Sequence, residues 1–116
     1  MNNNKAIFIL LLSLVLLPLY AFAAARTDGY RPIKNIKDPH VTEIGEFAVS
    51  EYVKKTKSEL KFVTVVSGEY QVVAGMNYKL VIKANHTGES NNYEAIIWEK
   101  PWLKFMNLTS FKPLEK

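Results

Sequence analysis

Residues 38–57 run Asp38-Pro39-His40-Val41-Thr42-Glu43-Ile44-Gly45-Glu46-Phe47-Ala48-Val49-Ser50-Glu51-Tyr52-Val53-Lys54-Lys55-Thr56-Lys57. Val41, Ile44, Gly45, Ala48 and Tyr52 fall on one stripe at helical spacing, with Glu43, Glu46, Ser50 and Lys57 opposite, so the pattern predicts an amphipathic helix over residues 41–57. Asp38 is placed to accept a bond from an unpaired backbone N–H as N-cap, and Pro39 at the first helical position has no N–H to lose. Lys54, Lys55 and Lys57 crowd the other end, where they face the negative pole of the helix. With Lys61 they could form a polyanion site, but a solvated face complementing the dipole accounts for them more simply.

Downstream the period shortens to two. Residues 60–73 are rich in β-branched side chains, residues 76–83 alternate Met76, Tyr78, Leu80 and Ile82 with Asn77, Lys79 and Lys83, and residues 93–100 are again strand-like. Residues 103–108 make a last short strand, and residues 30–36 a candidate edge strand. Consecutive strands with short connections pair as antiparallel hairpins, which predicts an α+β domain: a single helix packed on a four- to five-stranded antiparallel sheet.

Upstream lies a different kind of sequence. Residues 1–5 supply a weak positive end, residues 6–17 an apolar run broken only by Ser13, and Pro18 precedes the small residues at 21–25. This organisation predicts a secretory signal over residues 1–25, with cleavage near residue 23 or 25, and a single domain over residues 26–116. The apolar run is shorter than the roughly 20 residues that a membrane span needs, so no membrane association is expected after signal removal. The 116-residue chain is 48% hydrophobic, a share inflated by this leader, and its formal net charge of +4 is too small and dispersed to argue for nucleic acid. It contains no cysteine, which excludes a thiol nucleophile, a thiolate metal site and any disulfide framework. Passage through a glycosylating compartment would make Asn85-His86-Thr87 and Asn107-Leu108-Thr109 candidate glycosylation sites, at Asn85 and Asn107.

The topology carries a functional inference. Successive turns of a meander alternate ends of the sheet, so the turn near residues 71–75 and the turn at Pro101-Trp102 emerge together, with the turn at residues 85–92 at the opposite end. Gln71-Val72-Val73-Ala74-Gly75 is an unusually apolar turn, in which Val72 and Val73 offer uncharged bulk and Gly75 can take positive φ. Trp102 presents a large rigid surface at a turn, which makes it a candidate binding residue, whereas Trp98, within a strand, is expected in the core. Gly29 would let the N-terminal arm lie close to a partner's backbone.

Taken together, the Gln71 to Gly75 motif, the Pro101-Trp102 pair, the N-terminal Gly29 and the helix segment from Glu43 to Tyr52 resemble a plant-type cystatin over nearly the whole chain from Gly29 to Leu114. The resemblance implies a five-stranded antiparallel sheet wrapped around one helix, no cofactor, and reversible, competitive, non-covalent inhibition of papain-like cysteine proteases, either the organism's own or, in plant defence, an attacker's. It implies a three-part wedge: the Gly29 arm, the tip formed by Gln71, Val72, Val73, Ala74 and Gly75, and the tip formed by Pro101 and Trp102. The chain departs from the family in having Asp28 where a second arm glycine is usual, which places a carboxylate where it would have to be desolvated. With Lys116 as its last residue, it is expected to lack the C-terminal extension of longer relatives.

Catalysis by the chain itself is not expected. Its two histidines, His40 at the helix start and His86 in a loop, lie in no spacing with acids that suggests a triad or a metal site, and Glu94 and Glu99, five apart on a strand, point to opposite faces. The alternative is a secreted, non-inhibitory binding or storage module on the same scaffold. A monomer is expected, although apolar hairpin tips invite exchange of elements between copies.

Overall fold

The structure is a computed structural model that describes residues 29–115. The signal-peptide reading and Asp28 lie outside the described residues. Helix α1, Pro39–Thr56, lies across a five-stranded antiparallel sheet of β1 (Arg31–Pro32), β2 (Leu60–Val72), β3 (Met76–His86), β4 (Glu89–Lys100) and β5 (Phe105–Pro113), in the spatial order β1-β2-β3-β4-β5. Each strand neighbours the next in sequence, so the sheet is a meander and its turns alternate ends.

The helix begins and ends as its sequence dictates. The Asp38 carboxylate accepts from the His40 backbone N–H at 2.9 Å, and Pro39 occupies the first turn. Lys57 closes the other end in the left-handed conformation, donating its N–H to the Val53 carbonyl at 2.8 Å. Val41, Ile44, Gly45, Ala48 and Val49 are the buried residues of the helix. Gly45 is what lets α1 approach β2, since a Cβ there would stand 2.7 Å from Val65 Cγ2 and 2.9 Å from Phe62 Cε1.

On the sheet side the core is Leu60 and Val65 from β2, Tyr78, Leu80, Ile82 and Ala84 from β3, Ala95 and Ile97 from β4, and Leu108 from β5. Strict alternation holds through β3 and β4. In β2 it is interrupted by bulges at Val63 and Val66, where one extra residue each is taken up against β3. These insertions return Val65 and Gly68 to the helix-facing side and leave Val63 and Val66 exposed.

Three expectations are corrected. The central hairpin is tighter than residues 85–92, because β3 and β4 run on to Thr87 and Gly88, both at positive φ, so Asn85 sits in the end of a strand. This is the geometry of a two-residue hairpin whose twist matches its strands. The last strand begins at Phe105, two residues later than expected, since Pro101–Leu103 forms a single 3₁₀ turn closed by Lys104 in the left-handed conformation. Trp98 is not a core residue. Alternation from Ala95 and Ile97 points Glu99 at the helix and sends Trp98 to the outer face, where its ring packs edge-on against Phe105 at 5.9 Å.

Candidate functional site

The described part of the arm, the β2–β3 turn and the β4–β5 connection meet at one end of the sheet. Arg31 pairs with Tyr70, which puts Gly29 alongside the end of β2. Gly29 has φ +85, and a Cβ on it would stand 2.7 Å from Gln71 Nε2, so the arm crosses directly over the Gln71 side chain. Tyr30 is fixed beside it, accepting from Asn77 Nδ2 at 3.1 Å through its hydroxyl and carrying Lys79 Nζ 4.2 Å from its ring centroid.

The turn between β2 and β3 is closed by the Val73 N–H donating to the Gly75 carbonyl at 3.0 Å, with Ala74 at φ 44 and Gly75 at φ +119. Trp98 steadies it from the outer face, its indole Nε1–H donating to the Val73 carbonyl at 3.3 Å. The role of Trp98 is therefore to brace the first tip rather than to fill the core. Lys100 Nζ lies 4.3 Å from the Trp98 ring centroid and covers the indole from the second hairpin. Gly75 completes the junction, because it packs against the backbone of Glu99 so closely that a Cβ would lie 2.5 Å from the Glu99 carbonyl oxygen.

What the edge offers outward is apolar. Val72 is 72% exposed and Trp102 65%, and Val73, Ala74 and Pro101 are also exposed. Leu103, 62% exposed beside Trp102, belongs to the same patch and was missed because its residue type suggested a strand start. The prolyl ring and the left-handed Lys104 fix that 3₁₀ turn at both ends, so Trp102 and Leu103 project from a short, stiff segment.

The inner side of the same junction holds a buried carboxylate. Glu99 is 5% exposed and accepts from His40 across the helix–sheet interface, Nε2 to Oε1 at 2.9 Å, while His40 Nδ1 meets Glu43 Oε1 at 3.0 Å. The hydrogen bond with Glu99 raises the His40 pKa above its usual value of 6.5, against a smaller opposing effect of burial. Burial also raises the pKa of Tyr78, with the Glu99 charge and a hydrogen bond to Glu99 adding to it. A recess of about 590 Å³ opens beside this cluster, between the helix start and Pro101. His40 and Glu99 are 59 residues apart, so only the period-two pattern placing Glu99 inward hinted at the contact.

The two sequons separate in space. Asn85 is at the far end of the sheet, accepting from the Gly88 N–H at 2.8 Å and donating to Ser90 Oγ at 3.3 Å. Asn107 is exposed on β5, directly opposite Trp98 on the outer face. Among the described residues no group of three or more His, Cys, Asp or Glu is arranged to hold a metal ion.

A helix laid across an antiparallel meander, with turns of this kind at one end, is the fold of the cystatins. Solved structures agree: a salivary cystatin from the soft tick Ornithodoros moubata superposes with a TM-score of 0.65 at 24% identity, covering 75% of this chain and 97% of that one. Dimeric human cystatin F superposes with a TM-score of 0.62 at 18% identity, covering 77% and 90%. In sequence the chain is 65% identical over 114 residues to Cysteine proteinase inhibitor 5 of Arabidopsis thaliana, covering 96% of this chain and 93% of that protein. It is 50% identical over 84 residues to Cysteine proteinase inhibitor 1 of Actinidia chinensis, covering 72% of each. The family model described as aspartic acid proteinase inhibitor (SQAPI) matches residues 33–114. The chain belongs to the cystatin-like family of plant proteinase inhibitors, the phytocystatins.

Proposed function

We propose that the protein is a reversible, competitive, non-covalent inhibitor of papain-like cysteine proteases that occludes the active-site cleft with its apolar edge. The observation that carries this reading is the mutual bracing of the three segments: Gly29 on Gln71, Trp98 on the Val73 carbonyl, and Gly75 on Glu99. An edge assembled before docking loses little conformational entropy on binding, so its exposed Val72, Val73, Trp102 and Leu103 can convert burial into affinity. The edge needs no reactive group, in keeping with an inhibitor that is not an enzyme. The names of the relatives at 65% and 50% identity favour a cysteine protease as target.

Titration of papain with the purified domain tests the proposal. Stoichiometric, reversible loss of substrate turnover is the expected result, and unimpaired turnover at excess inhibitor would overturn it in favour of a non-inhibitory binding or storage module. Because the matching family model is described by aspartic proteinases, the same titration is run with a pepsin-like enzyme. Inhibition of that enzyme alone would move the target to the other protease class.

The remaining parts of the proposal are a secreted monomer, a defensive role, and an arm weakened by Asp28. Comparing inhibition constants for the parent and Asp28→Gly against two papain-like enzymes tests the arm, and equal values would dispose of that effect. A glycan on Asn85 would leave the edge free, whereas one on Asn107 would stand beside Trp98. Mass spectrometry of the protein from a eukaryotic secretory host, before and after glycosidase treatment, decides which is used.

A further inference from the structure

Both ring nitrogens of His40 face carboxylates, Nδ1 toward Glu43 at 3.0 Å and Nε2 toward Glu99 at 2.9 Å. A neutral imidazole has a single N–H, so one of these contacts would set lone pair against lone pair, and only the imidazolium donates to both. The acceptor at Nε2 is no surface group. Glu99 is 5% exposed, its backbone is the surface on which Gly75 rests, and it stands two residues before Pro101. The recess beside the cluster leaves the helix start and Pro101 without packing between them on that side, so the ion pair is a tie from α1 to the root of both turns.

We propose that His40, as an imidazolium bridging Glu43 and Glu99, is a positioning residue of the inhibitory edge, holding it most firmly in acidic solution and releasing it as the proton is lost. The inference rests on the inhibitory reading above. The charged and titratable groups around the pair are Asp38 at the helix N-cap, Glu43 from the helix, Tyr78 from β3, Glu99 from β4, and Lys104 from the segment after Pro101. The Glu99 and Glu43 carboxylates, each within hydrogen-bond distance of a ring nitrogen, favour the cation at His40 and agree with the raised pKa of that group. When the proton leaves, the imidazole keeps one N–H and donates to only one of the two carboxylates, so the buried Glu99 loses the cation that faced it and the strand end and turns attached to it are held less firmly.

The test compares inhibition constants for papain at pH 5.5 and 8.5 for the parent, His40→Gln and Glu99→Gln. Values are expressed as the ratio of variant to parent at each pH, so that titration of the protease cancels. His40→Gln is expected to weaken inhibition about tenfold at pH 5.5, the order of one charge-assisted hydrogen bond, and to match the parent at pH 8.5. Glu99→Gln, which removes the need for a cation, is expected to inhibit equally at the two pH values once referred to a His40→Gln control. A ratio for His40→Gln that is the same at both pH values would overturn the proposal.

A second measurement needs no protease. In the free protein the Trp102 indole N–H resonance should shift along the titration of His40 and stay fixed in His40→Gln. An indole signal indifferent to the His40 titration would also overturn the proposal. If the parent fails to inhibit papain at either pH, the inhibitory reading falls, and the resonance experiment still decides whether His40 positions the edge.

Discussion

The Glu99 carbonyl oxygen stands 2.5 Å from the place a Cβ on Gly75 would occupy, which makes one glycine the joint between the two hairpins of the edge. Gly75 also has φ +119, a conformation that other residues adopt only under strain. Gly75→Ala must displace either its own turn or the end of β4. The strain of about 1–3 kcal/mol corresponds to inhibition weakened by about five- to 150-fold. Inhibition constants for papain check this, and Gly75→Glu should lose more.

Trp102 and Leu80 differ widely in exposure, 65% against 0%. Trp102→Ala should weaken protease binding while leaving the thermal midpoint within a degree or two of the parent, since the indole contributes little to the folded core. Leu80→Ala removes a fully buried side chain at a cost of about 2–5 kcal/mol and should lower the midpoint sharply. Calorimetry alongside a papain titration separates the two effects.

Gly45 tests packing against propensity. Alanine in mid-helix is worth about 1 kcal/mol over glycine, yet its Cβ would meet Val65 Cγ2 at 2.7 Å and Phe62 Cε1 at 2.9 Å. Overpacking of a core costs about 1–3 kcal/mol, so Gly45→Ala should be net destabilising despite the gain in helix propensity. A urea midpoint above that of the parent would show that α1 can retreat from β2 cheaply.

His40 gives folding stability a direction in pH. Its folded pKa lies above the usual 6.5, so the folded state holds the proton more tightly than the unfolded chain. The resulting stabilisation is complete below the unfolded pKa and is lost as pH rises through the folded one. Urea unfolding at intervals from pH 5 to 9 should show this decline in the parent and a flatter profile in His40→Gln.

Much of the architecture is legible in single residues. Asp38-Pro39 marks the helix start because both residues relieve the unpaired N–H groups there, and the apolar alternation of β3 survives because that central strand has neighbours on both sides. The turn at Thr87-Gly88 was hidden by composition. Its conformation is one that Asn-Gly or Asp-Gly usually announces, and the polar ends of β3 and β4 looked like loop. Trp98 misled through residue type: a large apolar side chain suggested the core, while strand parity gave that place to Glu99. The apolar tips were visible because valines are unusual at a turn, but the His40–Glu99 tie was not, since a contact between residues 59 apart depends on how the helix is laid over the sheet.

The bulges at Val63 and Val66 have a consequence beyond re-aiming side chains. Strand β1 is only two residues long and meets β2 at Glu69 and Tyr70, so among the described residues the stretch from Leu60 to Ser67 has β3 on one flank and no strand on the other. Such a bare flank invites a second chain to zip on and seed insoluble fibres. Two kinks three residues apart spoil the repeat that an incoming chain would have to match. The irregular stretch thus guards the molecule's solubility on the side where its own sheet runs out.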